Sequence, residues 1–255
     1  MLVFAVVAGG RLLAAVPPVT PRPDQGAVAP SGKFIPNDPS LRPGEKVPAR
    51  PRAPQAADLP APALEKLPDG SVRIGLVTVE AKTKTISFPA AVNQREGLIE
   101  YALVTKAGKV HESLLSTEVS PTHLHLAALL LNWSAEGAPV RISVEVEWET
   151  NGPKRRELLE DLISLVQDSR FGRSGMPLVN TGWTYTGSFV LPEAFAAEKE
   201  GSLITLIGDP VALIGNPRPD QVDDRAHVPH ARRLPSLGLP VIVRLRPFLE
   251  SPAKP

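Results

Sequence analysis

The run Leu98-Ile99-Glu100-Tyr101-Ala102-Leu103-Val104-Thr105-Lys106-Ala107-Gly108-Lys109-Val110-His111-Glu112-Ser113-Leu114-Leu115-Ser116 decides how the chain reads, because it sets two β-rich stretches on either side of a short glycine-containing loop. A loop of that length joins antiparallel strands, so the spacing predicts a hairpin of Leu98 to Thr105 against Lys109 to Ser116. With Ala107-Gly108 as the turn, Val104 would oppose His111, Leu103 would oppose Glu112 and Tyr101 would oppose Leu114. Tyr101, Leu103, Val110, Glu112 and Leu114 then share one face, and Ala102, Val104, His111, Ser113 and Leu115 the other. Adjacent strand residues point to opposite faces, so His111 and Glu112 meet one ligand only across a bulge. Glu112 lands among apolar neighbours. It must accept hydrogen bonds from loop amides or the Tyr101 hydroxyl, or act as a functional carboxylate in a pocket.

Upstream, Ser71 to Val79 and Thr85 to Phe88 alternate as strands between Asp69-Gly70 and Pro89. Downstream, Ser120-Pro121 supplies an N-cap serine and a proline for the first helical turn, predicting a helix through Asn132. Its leucines and alanines coat nearly every side, the mark of a buried helix. Val140 to Trp148 alternates with period two. Lys154 to Gln167 carries Leu158, Leu159, Leu162, Ile163 and Val166 as one stripe and predicts a second, amphipathic helix. Further short strands are expected around Trp183 to Phe189, Ser202 to Leu206, Pro210 to Ile214 and Leu239 to Leu245. The loop Asn216 to Pro235 is longer than compact domains usually hold, which marks it as functional or disordered. These elements predict an α+β class: a single β-rich domain, mainly antiparallel sheet with two helices, over residues 70–249.

The catalytic candidates are His111, Glu112 and Ser113. A histidine beside a serine needs an orienting acid and an oxyanion hole before it means acyl chemistry, and no Gly-x-Ser-x-Gly elbow occurs. His111, His123 and His125 are the candidate metal ligands, since three histidines suit catalytic zinc. Helical positions two apart point about 200° apart, which opposes a shared ion. His227 and His230 with Asp220, Asp223 and Asp224 match no calcium or zinc spacing and read as a solvated loop. Tyr101, Trp183 and Tyr185 are the ligand-binding candidates. Trp183, Tyr185 and Phe189 alternate on one strand face beside Gly182 and Gly187, as core aromatics or as a ligand platform.

Charge is nearly balanced, 28 Lys and Arg against 27 Asp and Glu, which gives no reason to invoke nucleic acid or an anionic membrane. Arg155-Arg156 and Arg232-Arg233 lack neighbouring aromatics in sequence and read as solvated surface. The chain has no cysteine, which excludes disulfides, thiolate nucleophiles, and cysteine-held zinc or iron–sulfur clusters. Residues 1–16 resemble an export signal without a basic end, or a short membrane anchor. Fourteen of the 29 prolines fall between Pro17 and Pro68. So many fixed φ angles and missing donors predict a disordered tether over residues 17–69, extending about 3 Å per residue. Residues 250–255 are expected to be a disordered tail.

Lys109-Val110-His111-Glu112-Ser113-Leu114-Leu115, the leucine-rich helix entered through Pro121, Gly182-Trp183-Thr184-Tyr185-Thr186-Gly187-Ser188 and Val241-Ile242-Val243-Arg244-Leu245-Arg246-Pro247 together resemble the YdjY-type domain family of bacteria. The resemblance spans about residues 72 to 247. It implies an exported or envelope-associated protein without an assigned activity. Some proteins of that name are read as ferredoxin-like, a feature this cysteine-free chain cannot share. The expectation is an extracytoplasmic, non-enzymatic module, without cofactor, that binds an envelope protein, a glycan or a small ligand. The alternative is a hydrolase or metal-dependent enzyme using Glu112 and His111. Membrane contact is expected only through a possible N-terminal anchor.

Overall fold

In a computed structural model of the chain, the structure describes residues 54–55, 58–60, 62–133, 140–150, 152–166, 175–192 and 194–249. They belong to one compact unit within residues 50–255. The signal-like segment, most of the Pro-rich stretch and the C-terminal tail lie outside the described residues. In chain order the strands are β1 (Leu64–Lys66), β2 (Val72–Ile74), β3 (Val77–Glu80), β4 (Thr85–Val92), β5 (Tyr101–Thr105) and β6 (Ser113–Thr117), followed by helix α1 (Pro121–Leu130). Then come β7 (Val140–Trp148), β8 (Arg155–Leu158), β9 (Ile163–Leu165), β10 (Trp183–Tyr185), helix α2 (Ala196–Glu200), β11 (Ser202–Thr205), β12 (Ile214–Gly215), β13 (His227–Pro229) and β14 (Pro240–Pro247).

The α+β expectation is corrected: the fold is mostly β, 38% strand against 15% helix, built on a closed barrel of eight strands. The ring runs β4-β14-β7-β10-β12-β11-β5-β6 and returns to β4 through Ala91↔Ser116 and Val92↔Leu115. Two long strands make closure possible by serving several neighbours. One edge of β4 takes β3 along Thr85–Ser87 and β6 at its last residues, and β7 takes β10 at Val140–Ile142 and β8 at Glu145–Trp148. Period-two alternation turns one side of each long strand to the interior. Phe88↔Val243↔Val146 and Ile86↔Leu245↔Val144 form rungs of buried side chains, and Ile142↔Trp183 continues them. Side chains therefore fill the lumen, as a barrel of this size requires.

The hairpin is the largest correction. β5 and β6 are neighbours but parallel, with Tyr101↔Ser113, Leu103↔Leu115 and Thr105↔Thr117. Residues 106–112 run back along the barrel, and Val110–Glu112 form a 3₁₀ turn rather than strand. Parallel neighbours usually need a crossover of about a dozen residues or more. This shorter return works because the backbones pack tightly: a Cβ on Gly108 would lie 3.0 Å from the Gly201 carbonyl oxygen, and Gly201 adopts φ +68°. The Asn93 side-chain amide clips the turn by donating to the carbonyls of Val110 and Ser113.

The second expected helix is absent. Arg155–Leu158 pair with β7, Leu159–Leu162 form a 3₁₀ turn, and Ile163–Leu165 pair with β13. Residues three apart eclipse in a 3₁₀ turn, so Leu159 and Leu162 both reach the core and serve the stripe that suggested an α-helix. The first helix forms as its sequence dictates, with Ser120 accepting from the His123 amide and Pro121 opening the first turn. Among the described residues no helix is long and apolar enough to cross a membrane. Ordered structure also begins before Gly70. β1 pairs with β2, and buried Pro54 bonds through its carbonyl to α1.

Candidate functional site

His111 and Glu112 share the 3₁₀ turn, and their side chains approach to 3.7 Å, the opposite of the two-faced arrangement a strand would impose. The His111 side chain is 77% exposed and Glu112 is partly buried. Glu112 does not bond to Tyr101: that hydroxyl donates to Asp209 at 3.0 Å and accepts from the Lys109 ammonium at 3.1 Å. Lys109 stands 3.8 Å from Glu112 and so bridges the two. Burial, then the nearby Glu112 charge, raises the Glu100 carboxyl above its ordinary value. Ser113 is fully buried and its hydroxyl donates to the Leu115 carbonyl, so it points at no substrate.

The three histidines are not brought together. His123 packs beside Gly75, whereas His125 is sealed inside. A carbonyl can only accept, so the His125 Nε2–H donates to Pro54 O at 2.7 Å, and Nδ1 accepts from the Tyr185 hydroxyl at 2.6 Å. Burial holds His125 below the usual histidine range and pushes Tyr185 above the usual phenol range, which matches a neutral ring and an intact hydroxyl. Phe195 and Trp133 complete an aromatic cluster around His125 and Tyr185. Among the described residues no group of three or more His, Asp or Glu side chains is arranged to hold a metal ion.

Trp183 leads to a different place. It is fully buried in β10, and the Arg218 guanidinium lies 4.7 Å above its ring. Arg218 comes from the long loop, and the loop is not solvated: Asn216, Arg218, Asp220 and His227 are all at least nine-tenths buried. Arg218 donates from Nη2 to Glu160 at 2.8 Å, from Nη1 to the Asn216 side-chain oxygen at 2.9 Å and from Nε to the Val179 carbonyl at 2.7 Å. The Asn216 amide reaches Asp220, and the His227 Nε2–H donates to Asp220 at 2.5 Å. The result is one connected chain, Glu160–Arg218–Asn216–Asp220–His227, that nails the loop to the barrel.

Burial dominates the electrostatics. It raises Glu160 against the pull of Arg218, and it lowers Arg218 against the pull of Glu160 and Asp220. Burial also opposes the Asp220 charge, but the His227 hydrogen bond and Asn216 amide prevail and hold its carboxyl below the usual range. Glu160 Oε2 and Trp183 Nε1 are buried without a hydrogen-bond partner, although the indole stands near enough to favour the carboxylate.

Above this network opens a cleft of about 760 Å³. Leu165, Met176, Leu178 and Val179 form an apolar wall, and prolines 177, 217 and 219 frame it. Arg141, Thr181, Arg218 and Asp220 supply its polar lining. Thr181 Oγ1 is buried without a partner, and Arg141, stacked 5.3 Å over Phe248, has no carboxylate partner among the described residues. Arg141 is close enough to Arg218 to oppose its charge. The unpaired Arg141 guanidinium and the unsatisfied Thr181 hydroxyl beside an apolar wall can hold an anionic head group with its apolar body alongside, over an Arg218 whose charge is matched by Glu160.

Sequence reading singled out Trp183 and the loop but missed Glu160, Arg218, Asn216 and Arg141. The usable signal was the length of the loop, since only a buried anchor or a function keeps so long a connection ordered. Comparison with protein-family models, with curated proteins and with solved structures finds no match to this chain.

Proposed function

We propose that the protein is a non-catalytic binding module whose cleft beside Arg218 takes a small molecule with a carboxylate or similar anionic group and an apolar body. The observation that carries this reading is the pairing of a spare cation, Arg141, with exposed Met176 and Val179 across a cleft floored by a fully anchored Arg218. A mobile guanidinium would lose entropy on capturing an anion; Arg218 is already held by three hydrogen bonds and the Trp183 ring, so that cost is met in folding. The buried network supports binding rather than turnover, because Asp220 and His227 bond to each other inside the protein and the described residues place no serine hydroxyl against His227. The extracytoplasmic placement read from residues 1–16 and the Pro-rich stretch belongs to this proposal, and a partner protein or glycan could carry the same anionic group.

Ligand-observed NMR with a panel of aromatic and medium-chain carboxylates, each beside its neutral amide, tests the reading. Carboxylates should bind and amides should not, and R141A should weaken binding about tenfold, the effect of one charge-assisted hydrogen bond. Equal binding of acid and amide, or turnover of any panel member, overturns it.

A further inference from the structure

At the other end of β7 four arginines converge. Arg95, Arg155, Arg232 and Arg233 line a pocket of about 290 Å³ with Trp148. Arg141 and Trp148 are seven residues apart on one strand, about 23 Å at roughly 3.3 Å per residue, so this pocket is separate from the cleft.

The pairing of β8 with β7 explains how the arginines sort themselves. Trp148↔Arg155 and Glu147↔Arg156 are cross-strand pairs, and alternation sends neighbouring side chains to opposite faces. Arg156 therefore falls on the side of Glu147, which it meets at 2.7 Å and shares with Lys154 and Arg244. That cluster, led by the Lys154 hydrogen bond, depresses the Glu147 carboxyl to about 2. Arg155 falls on the Trp148 side and has no carboxylate partner among the described residues. The pair Arg232-Arg233 divides in the same way: Arg233 binds Asp161 at 2.8 Å and Glu157 at 3.4 Å, and Arg232 has no acid among the described residues. Arg95 is tied by Nη2 to the Ala231 carbonyl at 2.6 Å, while its Nε is buried and unpartnered. Among the described residues no carboxylate lines the pocket.

We infer that this pocket is a second binding site, for a small polyvalent oxyanion of the diphosphate class. Arg95, Arg155 and Arg232 supply the free N–H groups, and Trp148 supplies one wall. Planar guanidinium forks suit phosphate oxygens, and converging free cations are repulsive until an anion joins them. A cluster of arginines with one supporting aromatic is invisible along the chain, since its members stand at positions 95, 155 and 232.

Isothermal titration of the full chain with inorganic pyrophosphate tests the site, with orthophosphate and tricarballylate as arms that separate phosphate recognition from general anion attraction. Pyrophosphate should bind saturably at one site, more tightly than orthophosphate or tricarballylate. R155A/R232A should weaken it about a hundredfold, roughly tenfold for each lost charge-assisted bond. Both side chains sit on exposed residues, so the thermal midpoint should stay within a few degrees and report an intact fold. R73A, which removes an arginine from β2, should leave the affinity unchanged. No saturable heat, equal weakening by R73A, or unaltered binding in R155A/R232A overturns the inference.

Discussion

Arg218 answers four neighbours at once: Glu160, Asn216, the Val179 carbonyl and the Trp183 ring. A buried ion pair repays its desolvation only when both partners are present. R218L should therefore cost about 3–5 kcal/mol in urea unfolding because Glu160 is left buried and unpaired, and E160L/R218L should cost less than R218L alone. His125 offers a pH test. Its pKa is depressed below the ordinary 6.5 in the folded protein, so below about pH 6.5 the unfolded chain takes up a proton that the folded protein refuses. Stability is then lost as pH falls through that window. Glu160, held up by burial, titrates in the opposite sense and must be separated from it. The comparison with H125Q does so: the wild-type melting temperature should fall more between pH 7 and 5 than that of H125Q, and parallel pH curves would remove His125 as the source.

At the scale of elements, the parallel β5–β6 pair depends on how closely the 106–112 return passes Gly201. The Thr105 amide donates to the Gly201 carbonyl at 2.8 Å, and a Cβ on Gly201 would strike Thr105 Oγ1 and lie 2.9 Å from the Gly108 backbone. G201A adds that clash to a left-handed φ that costs a side chain about 1–2 kcal/mol, so it should destabilise by more than about 2 kcal/mol in denaturant unfolding. G152A, with open space around it, should stay within about 0.5 kcal/mol. The same elements explain what was legible in the sequence. α1 and β7 were readable because Ser120-Pro121 and the alternation of Val140 to Trp148 are local signals. The β5–β6 direction was not, because a Gly-containing loop looks alike whether the chain turns back or runs back. β8 and β9 were mistaken for helix because a 3₁₀ turn buries Leu159 and Leu162 with a spacing close to the α-helical one. The site was least legible: Arg141, Glu160 and Arg218 meet only once the barrel closes.

Over the whole molecule, closure of the ring through β4 and β6 fills the lumen with buried side chains such as Phe88, Val146 and Trp183. The cleft over the Glu160–Arg218 network and the arginine pocket at the far end of β7 are where the outer loops leave room. Both hold cations without acids among the described residues, Arg141 in the cleft and Arg155 and Arg232 in the pocket, which the balanced composition concealed, while Glu147 is spent on Lys154 and Arg156 and Asp220 on His227. The central claim is that the first of these spaces binds an anionic, partly apolar small molecule. Amide chemical-shift mapping with the tightest carboxylate of the panel tests it most directly. Shifts should concentrate at Arg141, Val179, Thr181, Arg218 and Asp220 and saturate at about tenfold higher ligand concentration in R141A; shifts centred on the His111–Glu112 turn, or none that saturate, would contradict it.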